Sequence, residues 1–291
     1  MLGCSVLPSP LERSGRGLYW LFLPFPSFSY RFPISRFPDS HFPDYLCAPM
    51  AKVVTPYNDQ DRTKKEQVEE MFDNIAPTYD FLNHFLSAGI DRRWRKKAVD
   101  SLAAIQPQNI LDLATGTGDF AVEALRLKPA KVIGGDISDL MMNVGRQKAE
   151  KLNVTGILSF QRVDSENMPF EDNKFDAITV GFGVRNFQDL ERGLGEMLRV
   201  LRPGGRVAIL EVSQPKRFPM RQLYHIYFHY ILPIVGRMFS SDIRAYTYLP
   251  ESVSVFPEGD DFTAILNKVG FRQVSYQPLT FGICAFYTCE K

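Results

Sequence analysis

The sequence predicts an α/β fold: a seven-stranded, mostly parallel sheet covered by helices and closed by an antiparallel hairpin. Three observations predict it. Short β-rich runs alternate with helical runs from residue 109 to 213, which implies parallel strands joined by crossover helices. Helical segments between runs such as "NILDLA", "KVIGGDI" and "FDAITVGF" imply a sheet covered on both faces. The C-terminal stretch "RQVSYQPLTFGICAFYTCEK" (272–291) reads as two strands joined between Pro278 and Gly282.

Taken in order, residues 1–49 stand apart. They hold eight of the twenty prolines and the echo "RFPIS RFPDS HFPDY", a density that forbids both helix and central strand. A disordered or spurious extension is expected there, with Met50 as the working start. The apolar stretch 17–28 and four arginines also admit a signal- or transit-peptide reading. One domain then covers 50–291. Its N-terminal helices lie within 50–104, at 62–76 and 78–104, where Leu82, Phe85, Leu86, Trp94, Ala98 and Leu102 recur at helical spacing. Strands are expected at 109–114, 131–137, 158–164, 175–182 and 206–213, with helices at 119–127, 138–152 and 189–201. The turn "RPGG" (202–205) stops the last of these helices and starts the fifth strand. An insertion at 214–256 follows. Its stretch "FPMRQLYHIYFHYILPIVGRMF" carries an apolar helical stripe from Leu223 to Met238, bent at Pro233.

Composition excludes several functions. Lys+Arg 34 against Asp+Glu 33 leaves a formal charge of +1, without the basic excess of a nucleic-acid binder. Cys4, Cys47, Cys284 and Cys289 form no CxxC pair and no zinc spacing, so they read as reduced thiols in a reducing compartment. No run of about 18 apolar residues is present, so no spanning helix is expected. His225 and His229 stand at i, i+4 without an intervening glutamate or a third ligand, and no metal is expected.

Chemistry concentrates in "NILDLATGTGDFAVEAL" (109–125). Gly116 and Gly118 let the chain turn sharply at the carboxyl end of the first strand and approach a ligand closely. "GTGDFA" also satisfies the loose dinucleotide pattern, and an NAD-dependent oxidoreductase is one reading of it. Charge separates the readings. Helix N-termini favour anions, yet here Asp119 occupies the terminus and Asp112 ends the strand beneath it. Two carboxylates suit a ligand with a positive centre, an amine and hydroxyls, which describes S-adenosyl-L-methionine. Asp136 ends the second strand, where a carboxylate bridges ribose hydroxyls. Asp164 ends the third strand and is followed by Ser165, acceptors suited to an adenine amino group with Met168 as an apolar wall.

"YDFLNHFLSAGIDRRW" (79–94) and "RVLRPGGRVAILEVS" (199–213) resemble the two signature stretches of the UbiE/MenG quinone C-methyltransferases, and "GFGVRNFQDL" (181–190) reinforces the likeness. The first stretch departs from the family pattern at Leu82 and Asp91. The resemblance spans roughly residues 60–291. It implies a class I, Rossmann-like methyltransferase fold that transfers a methyl group to a ring carbon of a prenylated quinol in menaquinone or ubiquinone synthesis. Carried over by position, it implies cofactor contacts at Thr117, Asp136, Asp164, Ser165 and Gly181. Demethylmenaquinol is the favoured substrate, a polyprenyl benzoquinol the alternative, and a non-catalytic member of a quinone-synthesis assembly a third reading.

Such a reaction needs alignment, a route for the proton of a ring hydroxyl, and a dry pocket. Arg185 and Asn186 follow the fourth strand directly; Arg185 would stabilise a developing phenolate and Asn186 orient a hydroxyl or water. Tyr79 would hydrogen-bond the same oxygen. The greasy insertion suits a prenyl tail, with peripheral contact to the inner face of a membrane; a core or homodimer helix is the other reading. A cytoplasmic location follows from these expectations.

Overall fold

The computed structural model describes residues 54–80, 84, 87, 89–231, 242 and 244–291, without the His229 side chain. The expectations for residues 1–49, for Leu82, Phe85 and Leu86, and for Pro233 to Met238 lie outside the described residues, as does the His225–His229 pairing.

Helix α1 (Lys64–Ile75) begins where Thr63 and Glu66 form a reciprocal capping box, the Thr63 hydroxyl accepting from the Glu66 N–H and the Glu66 carboxylate from the Thr63 N–H. Helix α2 (Ile90–Ser101) starts at Gly89, whose φ of 73° is left-handed. There follow β1 (Asn109–Leu113), α3 (Asp119–Ala124), β2 (Lys131–Asp136), α4 (Asp139–Lys151), β3 (Leu158–Arg162), β4 (Phe175–Gly181), α5 (Leu190–Val200) and β5 (Leu201–Val212). Then come α6 (Met220–Ile226), running on as a π-turn to Ile231, α7 (Arg244–Val255), α8 (Asp260–Val269), β6 (Arg272–Leu279) and β7 (Cys284–Glu290).

The sheet has seven strands in the order β3-β2-β1-β4-β5-β7-β6. The first five are parallel; β7 runs antiparallel to both β5 and β6, which confirms the terminal hairpin. Alternation along each strand builds two cores. Leu111, Leu113, Ile178, Val180, Val207 and Ile209 face α5 and α8 on one side. Ile110, Val132, Ala177, Ala208 and Leu210 face α2, α3 and α4 on the other. Burying Leu194, Met197 and Val200 of α5 alone contributes about 4.5–9 kcal/mol at the usual 1.5–3 per side chain.

Three sequence expectations are corrected. The "RPGG" segment does not precede β5 but lies inside it. Leu201 pairs with Phe175 and Arg206 with Ala177, so residues 202–205 bulge from the ladder towards the C-terminal Lys291. The helix expected at 119–127 is α-helical only to Ala124 and ends in a 3₁₀ turn, Leu125–Leu127. The helix expected over 78–104 is interrupted: Tyr79, Asp80 and His84 are α-helical, Ser87 and Gly89 form a turn, and Ile90–Ser101 is helical again before a 3₁₀ turn, Ala103–Ile105. Helices α7 and α8 stand where alternation gave no signal.

Strand order reverses at β1, which lies between β2 and β4. Open α/β sheets bind ligands at the carboxyl ends of strands flanking such a reversal.

Candidate active site

The turn after β1 is tightly wound. Ala114, Gly116 and Gly118 all have left-handed φ, of 53°, 54° and 81°. A Cβ on Gly118 would stand 2.8 Å from the Phe160 ring, so both conformation and space require glycine there. Asp112 holds the turn from beneath and does not reach the cavity above it. Its buried carboxylate accepts from the Thr115 hydroxyl at 2.5 Å and the Thr179 hydroxyl at 2.6 Å. Burial pushes its pKa up to about 6 against those hydrogen bonds.

Asp119 faces away from the ligand side into a salt network. Lys148 Nζ lies 2.6 Å from Asp119, Arg95 Nη2 3.3 Å and His84 Nε2 3.4 Å. Lys148 also pairs with Asp80 at 2.6 Å, and the Thr117 hydroxyl donates to Asp80. Asp91 closes the network on Arg95, His84 and the Ser87 hydroxyl. Asp119 is thus compensated by cations of the scaffold, and Asp112 is satisfied by its two hydroxyl donors. The acidity that a ligand meets comes instead from Asp136, Asp164 and Glu166.

These line a cavity beside the turn after β1. Tyr79, Gly116, Asp136, Asp164, Ser165, Gly181 and Asn186 converge on it; Asp112, Thr117 and Gly118, expected as cofactor contacts, do not line it, the Thr117 hydroxyl being turned to Asp80. Asp136 accepts the Gly116 N–H at 2.8 Å and the Ser138 N–H at 2.9 Å, and burial raises its pKa. Burial acts on Asp164 in the same sense, but the Lys65 ammonium at 2.6 Å and the Glu166 N–H outweigh it and hold its pKa below the usual range. Lys65 also reaches Glu166 at 3.2 Å. The donor set fits S-adenosyl-L-methionine: carboxylates for ribose hydroxyls and an amine, Gly116 in close approach, and apolar Val68, Phe72 and Met141 beside them.

A second cavity adjoins the first and shares Phe72, Tyr79 and Phe182 with it. Trp94, Tyr227, Phe228, Tyr246 and Tyr248 add aromatic wall. Arg185 lies here, its side chain 8% exposed. Its Nη1 donates to Glu211 Oε1 at 2.6 Å and to the Phe182 carbonyl. Its backbone N–H donates to Glu211 Oε2 at 3.2 Å. Its Nε is buried with no hydrogen-bond partner. Burial disfavours the guanidinium charge, yet Glu211 more than offsets this and raises the pKa. Asn186 Oδ1 accepts from the Tyr248 hydroxyl at 3.1 Å. The sequence reading missed Glu211, Lys65 and Tyr248. Glu211 left a signal, a lone carboxylate in the otherwise apolar "VAILEVS"; Lys65 and Tyr248 left none.

The fold is that of a class I S-adenosyl-L-methionine-dependent methyltransferase. A crystal structure of such an enzyme from Thermotoga maritima superposes with a TM-score of 0.53 at 19% identity, covering 77% of this chain and 99% of that one. One from Methanococcus maripaludis gives 0.53 at 18%, covering 76% and 94%. The chain belongs to the ubiE/COQ5 methyltransferase family, which it matches over residues 60–291. It is 52% identical over 82% of its length to the demethylmenaquinone methyltransferase of Bacteroides fragilis, covering 97% of that protein. It is 47% identical over 78% of its length to the ubiquinone/menaquinone biosynthesis C-methyltransferase UbiE of Geotalea daltonii, again covering 97%.

Proposed function

We propose that the chain methylates a ring carbon of demethylmenaquinol, a prenylated quinol, to give menaquinol. One observation carries the reading: a buried arginine with an unpartnered Nε–H stands in an aromatic cavity that adjoins an acidic one. A buried donor left unpaired costs about 1–3 kcal/mol, so a site that keeps one is built for an acceptor. A quinol oxygen is such an acceptor, and the aromatic walls suit its ring.

S-adenosyl-L-methionine, when bound, supplies the electrophilic methyl group. Asp136 would hold its ribose hydroxyls, and Asp164 and Ser165 its adenine amino group, with Gly116, Gly181 and Asn186 around it. Arg185 holds the ring oxygen and stabilises negative charge there as the hydroxyl proton passes to water. Glu211 neutralises Arg185, so this stabilisation is by an aimed N–H rather than by net charge. Tyr79, on the boundary of both cavities, hydrogen-bonds the same oxygen, and Asn186 orients it. The rings of Phe72, Phe182 and Trp94 exclude water.

The insertion at 214–256 covers the aromatic cavity through Tyr227, Phe228 and Tyr246. Leu223, Ile226, Tyr230 and Ile231 point outward from the same segment, exposed, and support peripheral contact with a membrane surface through which a prenyl tail would enter. A homodimer is the other use of that face, distinguished by light scattering with and without vesicles. Among the described residues no helix is long and apolar enough to cross a membrane.

A polyprenyl benzoquinol is the second reading, favoured by the double designation of the Geotalea relative. Purified protein given S-adenosyl-L-methionine and short-tailed demethylmenaquinol under reducing conditions should release S-adenosylhomocysteine and a quinol heavier by one CH₂. Transfer to the benzoquinol alone selects the second reading; transfer to neither overturns both.

A further inference from the structure

The turn that presents Arg185 and Asn186 is a single 3₁₀ turn, Val184–Asn186, and such a short turn does not hold its own shape. Three elements hold it. Strand β5 grips Arg185 through Glu211, which takes both the Arg185 backbone N–H and its Nη1. Helix α7 grips Asn186 through the Tyr248 hydroxyl. The carbonyl side faces α1. There Lys64, the first residue of the helix, donates from Nζ to the Arg185 carbonyl at 2.8 Å and to the Phe187 carbonyl at 2.9 Å.

Those carbonyls are the acceptors that the end of a helical turn leaves unpaired, and the Lys64 Nζ satisfies both. Two anchored carbonyls flanking Asn186 restrain the rotation of the peptide planes between them. The anchorage is shared with the next turn of chain, where Glu166 accepts the Gln188 and Asp189 N–H groups at 2.8 and 3.0 Å. Glu166 is in turn held by Lys65, the neighbour of Lys64. Val68 and Phe72, further along α1, line the cofactor cavity, so the helix roofing that cavity also braces the turn. Lys64 does not line either cavity, which separates its work from substrate contact.

We propose that Lys64 is a positioning residue for methyl transfer: it ties the roof helix α1 to the Arg185–Asn186 turn and fixes the direction of both side chains. The inference rests on the reading that Arg185 and Asn186 act on the ring oxygen. Lys64→Met keeps the aliphatic stem and removes the donors; Lys64→Arg keeps donors and charge. Turnover at saturating quinol should fall 10- to 100-fold in the methionine variant. Affinity for S-adenosylhomocysteine by calorimetry and the KM for quinol should each stay within about threefold. The arginine variant should recover at least part of the loss. In an Asn186→Ala background, Lys64→Met should cost markedly less than in the wild type, because part of what it positions is gone.

Should the methionine variant not fold, Lys64→Gln replaces it, and turnover should rank Lys, then Arg, then Gln. Wild-type turnover in the methionine variant, or in the glutamine variant if that is used, overturns the proposal. So does a loss seen in cofactor affinity rather than in turnover. If Asn186→Ala and Arg185→Lys both turn over like the wild type, the catalytic reading fails instead, and the two failures are told apart.

Discussion

The buried Arg185–Glu211 pair separates stability from catalysis. Glu211 has no exposed side-chain surface and accepts from Arg185 Nη1, the Arg185 N–H and the Val212 N–H. Arg185→Met removes one charge and strands the other. Breaking a buried pair from one side costs about 3–5 kcal/mol, because the remaining ion is uncompensated. Replacing both partners, Arg185→Met with Glu211→Gln, removes that stranded charge, and at least about 2 kcal/mol should return. Turnover should behave differently. Loss of a donor to a developing oxyanion costs about 10²–10³-fold, and it should persist in the single and the double variant alike. Urea unfolding gives the first quantity and S-adenosylhomocysteine release the second. If the double variant is no more stable than the single, the pair is not a compensated buried ion pair. If the double variant regains turnover, Arg185 does not act on the substrate.

Other outcomes follow from named groups. Asp112 keeps its proton to about pH 6 when folded and loses it near 3.8 when unfolded, so its contribution to stability falls as pH rises between those values. Asp112→Asn should therefore gain on the wild type from pH 4 to 6, by up to about 3 kcal/mol at 1.36 per unit, read by chemical denaturation. The Lys64 ammonium is driven down to about pH 8 by burial first and the Arg185 charge second, against Glu166 and Glu211. Competitive acetylation should place it there, and between pH 8 and 10.5 this group should add stability as pH rises, since only the unfolded state then keeps the proton. Gly118→Ala, at φ 81° and against Phe160, should lower stability by about 1–3 kcal/mol in a thermal melt. Asp164→Asn should weaken S-adenosylhomocysteine binding about tenfold, with quinol KM unchanged.

The sheet was legible because its signal is local. Short β-rich runs at 109–114, 131–137, 158–164 and 175–182, each followed by a helical run, pair most simply as parallel strands. The carboxyl ends of those strands then placed Asp136 and Asp164 without any contact being known. Asp119 was located but its neighbours were not. Lys148, Arg95 and His84 come from segments 24 to 35 residues away, and no spacing announces that they will neutralise it. The same limit hid Glu211: its isolation among apolar residues was visible, while its pairing with Arg185 depends on β5 lying beside β4. Helix α7 is part of a segment aromatic on several sides, so periodicity could not say that Tyr248 turns inward to Asn186.

Phe72, Tyr79 and Phe182 belong to both cavities, so donor and acceptor would meet across a window framed by three aromatic rings. Ring faces attract a cationic sulfur and repel water, which makes the window a filter as well as a passage. Trimming any one ring should therefore change the fate of the methyl group before it changes binding: less would arrive on carbon and more would leak to solvent as methanol.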